Sequence, residues 1–125
     1  MLSIARYGTR DLERAKTFYD GIAGLIGAGR VLDRPEAVGY KSADGGMFII
    51  GKPFEGEATA GNGTQLGIAA PGREAVDAVH AKALELGGQC AGPPGVRGPD
   101  PNGFYAAYFR DLDGNKLMVF NMGTS

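Results

Sequence analysis

One histidine, one cysteine and two aspartates a single residue apart are the side chains of this 125-residue chain whose types are suited to chemistry. A nucleophilic pair needs an imidazole within hydrogen-bond reach of a thiol or hydroxyl, and the base in turn needs an orienting group. His80 falls midway along a predicted helix, near its apolar edge, and reads as a boundary residue, so neither a Ser-His-Asp nor a Cys-His pair is proposed. It is also too few for a zinc site, which takes three or four ligands. Cys90 follows that helix at a strand start and reads as a small buried hydrophobe, since a reactive thiol needs a cation beside it. Asp111 and Asp113 flank an Asp113-Gly114-Asn115 turn, where these residue types serve turn geometry better than paired acid-base work. Gly61-Asn62-Gly63 lacks the lysine and helix start of a phosphate loop. No catalytic residue is assigned.

The elements that must position any site are written twice. Leu12, Ala15, Phe18, Tyr19, Ile22 and Leu25 recur at spacings of three and four, which predicts a helix with one apolar face, N-capped by Asp11. Ala75, Val76, Val79, Ala83 and Leu86 predict a second helix over 72–86, stopped by Gly87-Gly88. A strand pair at 38–42 and 47–50 turns at Asp44-Gly45-Gly46, and its counterpart at 104–110 and 116–120 turns at Asp113-Gly114. The turns lie 69 residues apart and the strand-to-helix junctions, Thr9 and Ala70, lie 61 apart. The difference is assigned to a longer loop in the second copy, 91–103, rich in Gly and Pro. A duplication on this scale sets the fold class: α+β, two tandem βαβββ modules over 1–51 and 64–122, joined by the polar, glycine-rich stretch 52–63, within one domain of residues 1–125. Each module is too small to stand alone.

One face of each sheet lies under its helix, and the other faces together make a curved, half-open eight-stranded barrel with helices outside and a cavity within. Strand alternation assigns the side chains. Leu66, Ile68, Phe48, Ile50, Leu117, Val119, Ala5 and Tyr7 face the helices, and Gln65, Gly67, Ala69, Met47, Ile49, Lys116, Met118, Phe120, Ile4 and Arg6 face the cavity.

Net charge is −1 and the Lys and Arg residues are scattered, so there is no basic stripe for nucleic acid. A single cysteine makes no intrachain disulfide, and Arg6, Arg10, Asp11, Glu13 and Arg14 interrupt any signal core in the first twenty residues. No apolar run approaches the roughly 20 residues that span a bilayer. The expectation is a soluble cytoplasmic protein with no membrane partner.

The run Arg10-Asp11-Leu12-Glu13-Arg14-Ala15-Lys16-Thr17-Phe18-Tyr19-Asp20 resembles the first-helix signature of the vicinal oxygen chelate superfamily, which includes glyoxalase I, extradiol dioxygenases, fosfomycin-modifying enzymes and bleomycin-resistance proteins. Ala69-Ala70-Pro71-Gly72-Arg73-Glu74-Ala75-Val76-Asp77-Ala78 is similar to the second strand-helix junction of small glyoxalase-like members, and 104–116 to their final hairpin. The resemblance implies a divalent metal held by His and Glu side chains from the first and last strands of each module. Carried over, those positions are Ile4, Ile49, Gln65 and Met118. Ile has no donor atom, thioether sulfur is a poor ligand for hard or borderline cations, and a neutral amide is weak beside imidazole or carboxylate. The expectation is therefore no metal and no cofactor. The resemblance also implies a homodimer.

These readings favour a metal-free protein that binds a small molecule without transforming it. Arg6, Tyr40, Met47, Ile49, Gln65, Tyr105, Met118 and Phe120 are the candidate ligand-binding residues, with Arg6 suited to a carboxylate or phosphate and the tyrosines to stacking or a phenolic hydrogen bond. The alternatives are a glyoxalase-like lyase or isomerase, or a dioxygenase, with a displaced metal, and an association module with no small ligand.

Overall fold

Asp11 starts the first helix: its backbone is extended, and its carboxylate accepts the Arg14 N–H at 3.2 Å. A computed structural model describes residues 1–43 and 45–123. Among these the chain runs β1 (Ile4–Gly8), α1 (Leu12–Ala23), β2 (Gly29–Arg34), β3 (Ala37–Lys41), β4 (Met47–Gly51), β5 (Leu66–Ala69), α2 (Arg73–Glu85), β6 (Gln89–Val96), β7 (Tyr105–Arg110) and β8 (Lys116–Asn121), with a 3-10 turn at Gly24–Ile26 after α1. The order βαβββ occurs twice. α2 stops in a Schellman geometry, with Gly87 at φ +102° donating to Leu84 O and Gly88 donating to Ala83 O at 2.8 Å.

The strands form two four-stranded mixed sheets, β1-β4-β3-β2 and β5-β8-β7-β6, in a curved, half-open arrangement that does not close. In each, the outer strand of the module runs parallel to its last strand. Arg6 pairs with Ile49 and Gly67 with Met118, so the 61- and 69-residue offsets carry one register onto the other. Gly45 and Gly114 occupy matching turns with φ of +86° and +88°, a conformation that only glycine adopts without strain. Asp44 of the predicted first turn lies outside the described residues.

The alternation is observed as read. Ile50, Val38, Leu117, Val119 and Phe109 are fully buried under the helices, while Met47, Ile49, Met118 and Phe120 on the opposite faces are partly exposed. The helix-side faces of both sheets and the apolar faces of α1 and α2 make one core, in which Phe18 of α1 meets Phe109 of β7 at 6.2 Å between ring centroids. Burial of such aromatic and branched side chains is the main source of stability.

Two elements differ from the sequence reading. β6 runs through the first part of the stretch assigned to a long loop, including Pro93 and Pro94. It is an edge strand whose pairing with β7 is broken between Cys90 and Gly92 and again between Gly92 and Gly95, and an edge with bulges tolerates proline because no ladder donor is required there. β2 is a further edge strand that lacks an alternating pattern, with a register shift between Arg30 and Leu32.

A hairpin tip fastens one module to the other. Asp111 is buried and accepts from Asp113 N, Asn115 N and Asn115 Nδ2, while Asn115 Nδ2 also donates to Gly8 O at 2.9 Å. Tyr7 donates to Lys116 O at 2.6 Å, and Thr9 and the Arg10 N–H donate to Asp113. Asp111 and Asp113 thus serve the turn, as their spacing suggests, and also the joint between modules. Among the described residues, no buried side-chain nitrogen or oxygen lacks a partner.

Candidate ligand-binding site

β1 and β5 belong to separate sheets, so no ladder joins them, and a gap opens along this seam. The gap is a cavity of about 410 Å³. Its walls are mainly apolar. Ala5, Ala23, Ala28, Gly67 and Ala69 leave the space empty because their side chains are small, and Tyr19, Ile22 and Ile26 close it from the α1 side. Met47, Gln65 and Phe120 enter from the sheet faces turned away from the helices. The expectation placed the cavity wholly on those faces. The structure instead draws its lining from both faces, because at an unladdered edge the division between faces lapses.

Of the candidate residues, Tyr40, Met47, Gln65 and Phe120 meet at this cavity, and so does Ile4. Gln65 is exposed, and its amide has no hydrogen-bond partner among the described residues. Tyr40 offers its ring, but its hydroxyl donates to Asp20 Oδ1 at 2.7 Å. Arg30 grips the same carboxylate through two nitrogens, at 2.9 and 2.7 Å, and this bond holds Asp20 below the usual carboxylate range. Burial, and then the Asp20 bond, push the Tyr40 phenol up.

The other four lie elsewhere. Arg6 lies across Gly51 and donates to Lys52 O at 2.5 Å. Ile49 sits between Arg6 and Gly39 in the register of the first sheet, and the Met118 methyl group packs over Gly67. Tyr105 stands on the α2 side, donating to Asp77 at 2.6 Å with the Arg73 guanidinium 4.9 Å from its ring centre. The sequence reading did not include Tyr19 and Ile22 of α1, or Ile26 of the 3-10 turn after it, as cavity lining. The available signal was an apolar helix face that extends to Leu25, beyond what one sheet needs to cover it.

A divalent ion does not fit the positions where the resemblance would put it. Ile4 and Ile49 carry no donor, and Met118 and Gln65 offer only a thioether and a neutral amide. Among the described residues no group of three His, Cys, Asp or Glu side chains converges elsewhere.

Two further residues correct the sequence reading. Cys90 is exposed rather than buried, and its Sγ lies 3.2 Å from His80 Nε2, so the Cys-His approach that a helix-borne histidine was expected to preclude does occur. β6 begins beside α2 and its edge position leaves the thiol in solvent. His80 itself is buried, which pushes its imidazole below the ordinary range, with Asp77 acting in the opposite sense.

The model of the Glyoxalase/Bleomycin resistance protein/Dioxygenase superfamily matches residues 2–119. Among solved structures, a glyoxalase/bleomycin resistance protein from Albidiferax ferrireducens T118 is 39% identical, with a TM-score of 0.86 over 97% of this chain and 98% of that one. A glyoxalase-related enzyme from Fulvimarina pelagi, 19% identical with a TM-score of 0.73 over 97% and 87% of the two chains, shares the fold. So does TioX from Micromonospora sp. ML1, 16% identical with a TM-score of 0.67 over 100% and 98%. No curated protein matches in sequence. A family match over nearly the whole length, on two βαβββ modules in the same register, places this chain in the glyoxalase/bleomycin resistance protein/dioxygenase superfamily.

Proposed function

We propose that this chain binds a small, largely apolar molecule in the seam cavity and releases it unchanged, without a metal and as a homodimer in the cytoplasm. The observation that carries this reading is the cavity itself: about 410 Å³, within the roughly 300–1,000 Å³ usual for ligand sites, with apolar walls and few polar groups. Met47 and Phe120 supply contact area, the Tyr40 ring supplies a stacking surface, and Gln65 supplies an amide to orient the ligand. The family's Lewis-acid chemistry needs donors that Ile4, Ile49, Gln65 and Met118 do not offer. The 39% identical relative is a glyoxalase/bleomycin resistance protein, a grouping that includes binding as an end in itself. Leu2 and Ile4, exposed to 76% and 56% beside the seam, favour a second copy covering this edge.

The test is a thermal-shift and calorimetric screen of apolar and aromatic compounds against the native protein and an Ala69→Trp variant. Ala69 is an exposed lining residue, so the larger ring fills the cavity without entering the core. Saturable binding that this substitution abolishes is expected. Methylglyoxal-glutathione turnover that survives repurification and vanishes in Gln65→Ala would overturn the reading.

A further inference from the structure

A second cavity, also about 410 Å³, lies beside the first and is polar where the first is apolar. The turn Gly61-Asn62-Gly63 and Thr64 form one side, and Arg110 and Lys116 form the other. Gln65 lines both cavities, which makes it the residue they share. On a chain of net charge −1, this wall has two cations and no carboxylate. Neither cation makes an ion pair among the described residues: Arg110 donates one N–H to Gly114 O at 3.0 Å, and the Lys116 ammonium rests 5.3 Å from the Tyr108 ring centre. The remaining donors of both have no protein acceptor among the described residues.

We infer that the ligand is an amphiphilic anion. Its apolar body fills the seam cavity, and a terminal oxyanion, carboxylate or phosphate monoester, sits between Arg110 and Lys116, with the Gln65 amide at the junction. This rests on the seam cavity being the ligand site. Uncompensated cations at the end of an apolar slot favour a molecule with the complementary polarity, because a guanidinium and an ammonium together supply charge-assisted hydrogen bonds to an oxyanion. The Asn62 amide and Thr64 hydroxyl, on the opposite side, suit the oxygens that the cations leave open.

The test compares octanoate, octyl phosphate and 1-octanol by calorimetry with the full chain. One charge-assisted contact makes an anion roughly tenfold tighter than the alcohol. That preference is expected to shrink as salt is raised from 20 to 300 mM, since Arg110 is exposed and Lys116 partly exposed. Lys116→Met and Arg110→Gln, checked for unchanged melting temperature, are each expected to reduce it. The tighter of the two anions identifies the head group. If neither alcohol nor anion binds, the seam cavity is not the ligand site. If all three bind alike, or the variants keep the anion preference, the seam reading stands and the anionic class is wrong.

Discussion

Tyr19 on α1 donates its phenolic hydrogen to Asp111 Oδ2 at 2.5 Å, across 92 residues of sequence and from one module to the other. Both groups are buried, and the same carboxylate collects the backbone N–H groups of Asp113 and Asn115 and the Asn115 amide. Neither module can bury enough surface alone. The shared core joins them without direction, and this hydrogen-bond cluster fixes which surfaces meet. Tyr19→Phe keeps the ring and removes one donor, and is expected to lower stability by about 1–3 kcal/mol. Asp111→Ala strands several donors and is expected to cost more. Urea unfolding reads both as a lower midpoint at unchanged slope. An unmoved midpoint in Tyr19→Phe would show that the bond contributes nothing to docking the modules.

Alkaline pH tests the same region. An unfolded tyrosine ionises near 10. In the folded chain burial, followed by the charge of Asp111, holds Tyr19 well above this and also raises Tyr7, and burial followed by the Asp20 bond raises Tyr40. Above pH 10 the folded state therefore retains protons that the unfolded state has lost. The stabilisation is complete below pH 10 and drains away as pH rises through the folded values. Ultraviolet titration of the native protein is expected to show these three phenols ionising together with unfolding. Reversible ionisation of all three near pH 10, with the fold intact, would contradict the hydrogen-bonded arrangement.

Much of this was legible in the sequence, and the exceptions share a physical cause. The helix faces, the Asp11 cap, the Gly87-Gly88 stop and the 61- and 69-residue offsets all follow from local pattern, and the observed registers repeat them. The position of β2 and the extension of β6 beyond the strand start at Cys90 were hidden because edge strands need neither alternation nor unbroken donors, so Gly92, Pro93 and Pro94 can sit in one. The cavity was legible only in part. Met47, Gln65 and Phe120 follow from strand period, whereas the contribution of Tyr19, Ile22 and Ile26 depends on how two unladdered edges meet, which no short-range pattern encodes. The His80 and Cys90 approach is likewise a consequence of where β6 begins relative to α2.

That approach leads to a prediction at acid pH. An unfolded histidine titrates near 6.5, and burial places the folded His80 below that value. As pH falls through 6.5 the unfolded state takes up the proton first, so stability present above 6.5 is lost as pH drops toward the folded value. His80→Leu is expected to flatten this limb, which chemical denaturation at pH 8 and pH 5 measures. The exposed thiol is expected to react with an aromatic disulfide in the native protein, and the neutral imidazole 3.2 Å away to accept its proton, so His80→Gln slows the reaction near neutrality. Equal rates in both proteins would show that the imidazole takes no part.

The positions that the superfamily uses for its metal give the last prediction. After stripping with chelator, titration with Ni, Zn, Fe(II) and Mn is expected to give no stoichiometric tight uptake, because Ile4, Ile49, Gln65 and Met118 supply no strong donor. One ion per chain would mean that a site is assembled from other residues, and would bring metal-assisted chemistry forward. A graft then separates loss of donors from loss of geometry. The four positions are related by the repeated register, so Ile4→His, Gln65→His, Ile49→Glu and Met118→Glu together restore imidazole and carboxylate donors on matching strands. All four original side chains are at least partly exposed, so the graft does not place charge in the core. Metal uptake by the folded graft is expected if the duplicated strands still bring these positions together in the native assembly. A graft with native melting temperature that takes up no ion would show that this chain has lost the convergence of the four positions as well as their donors.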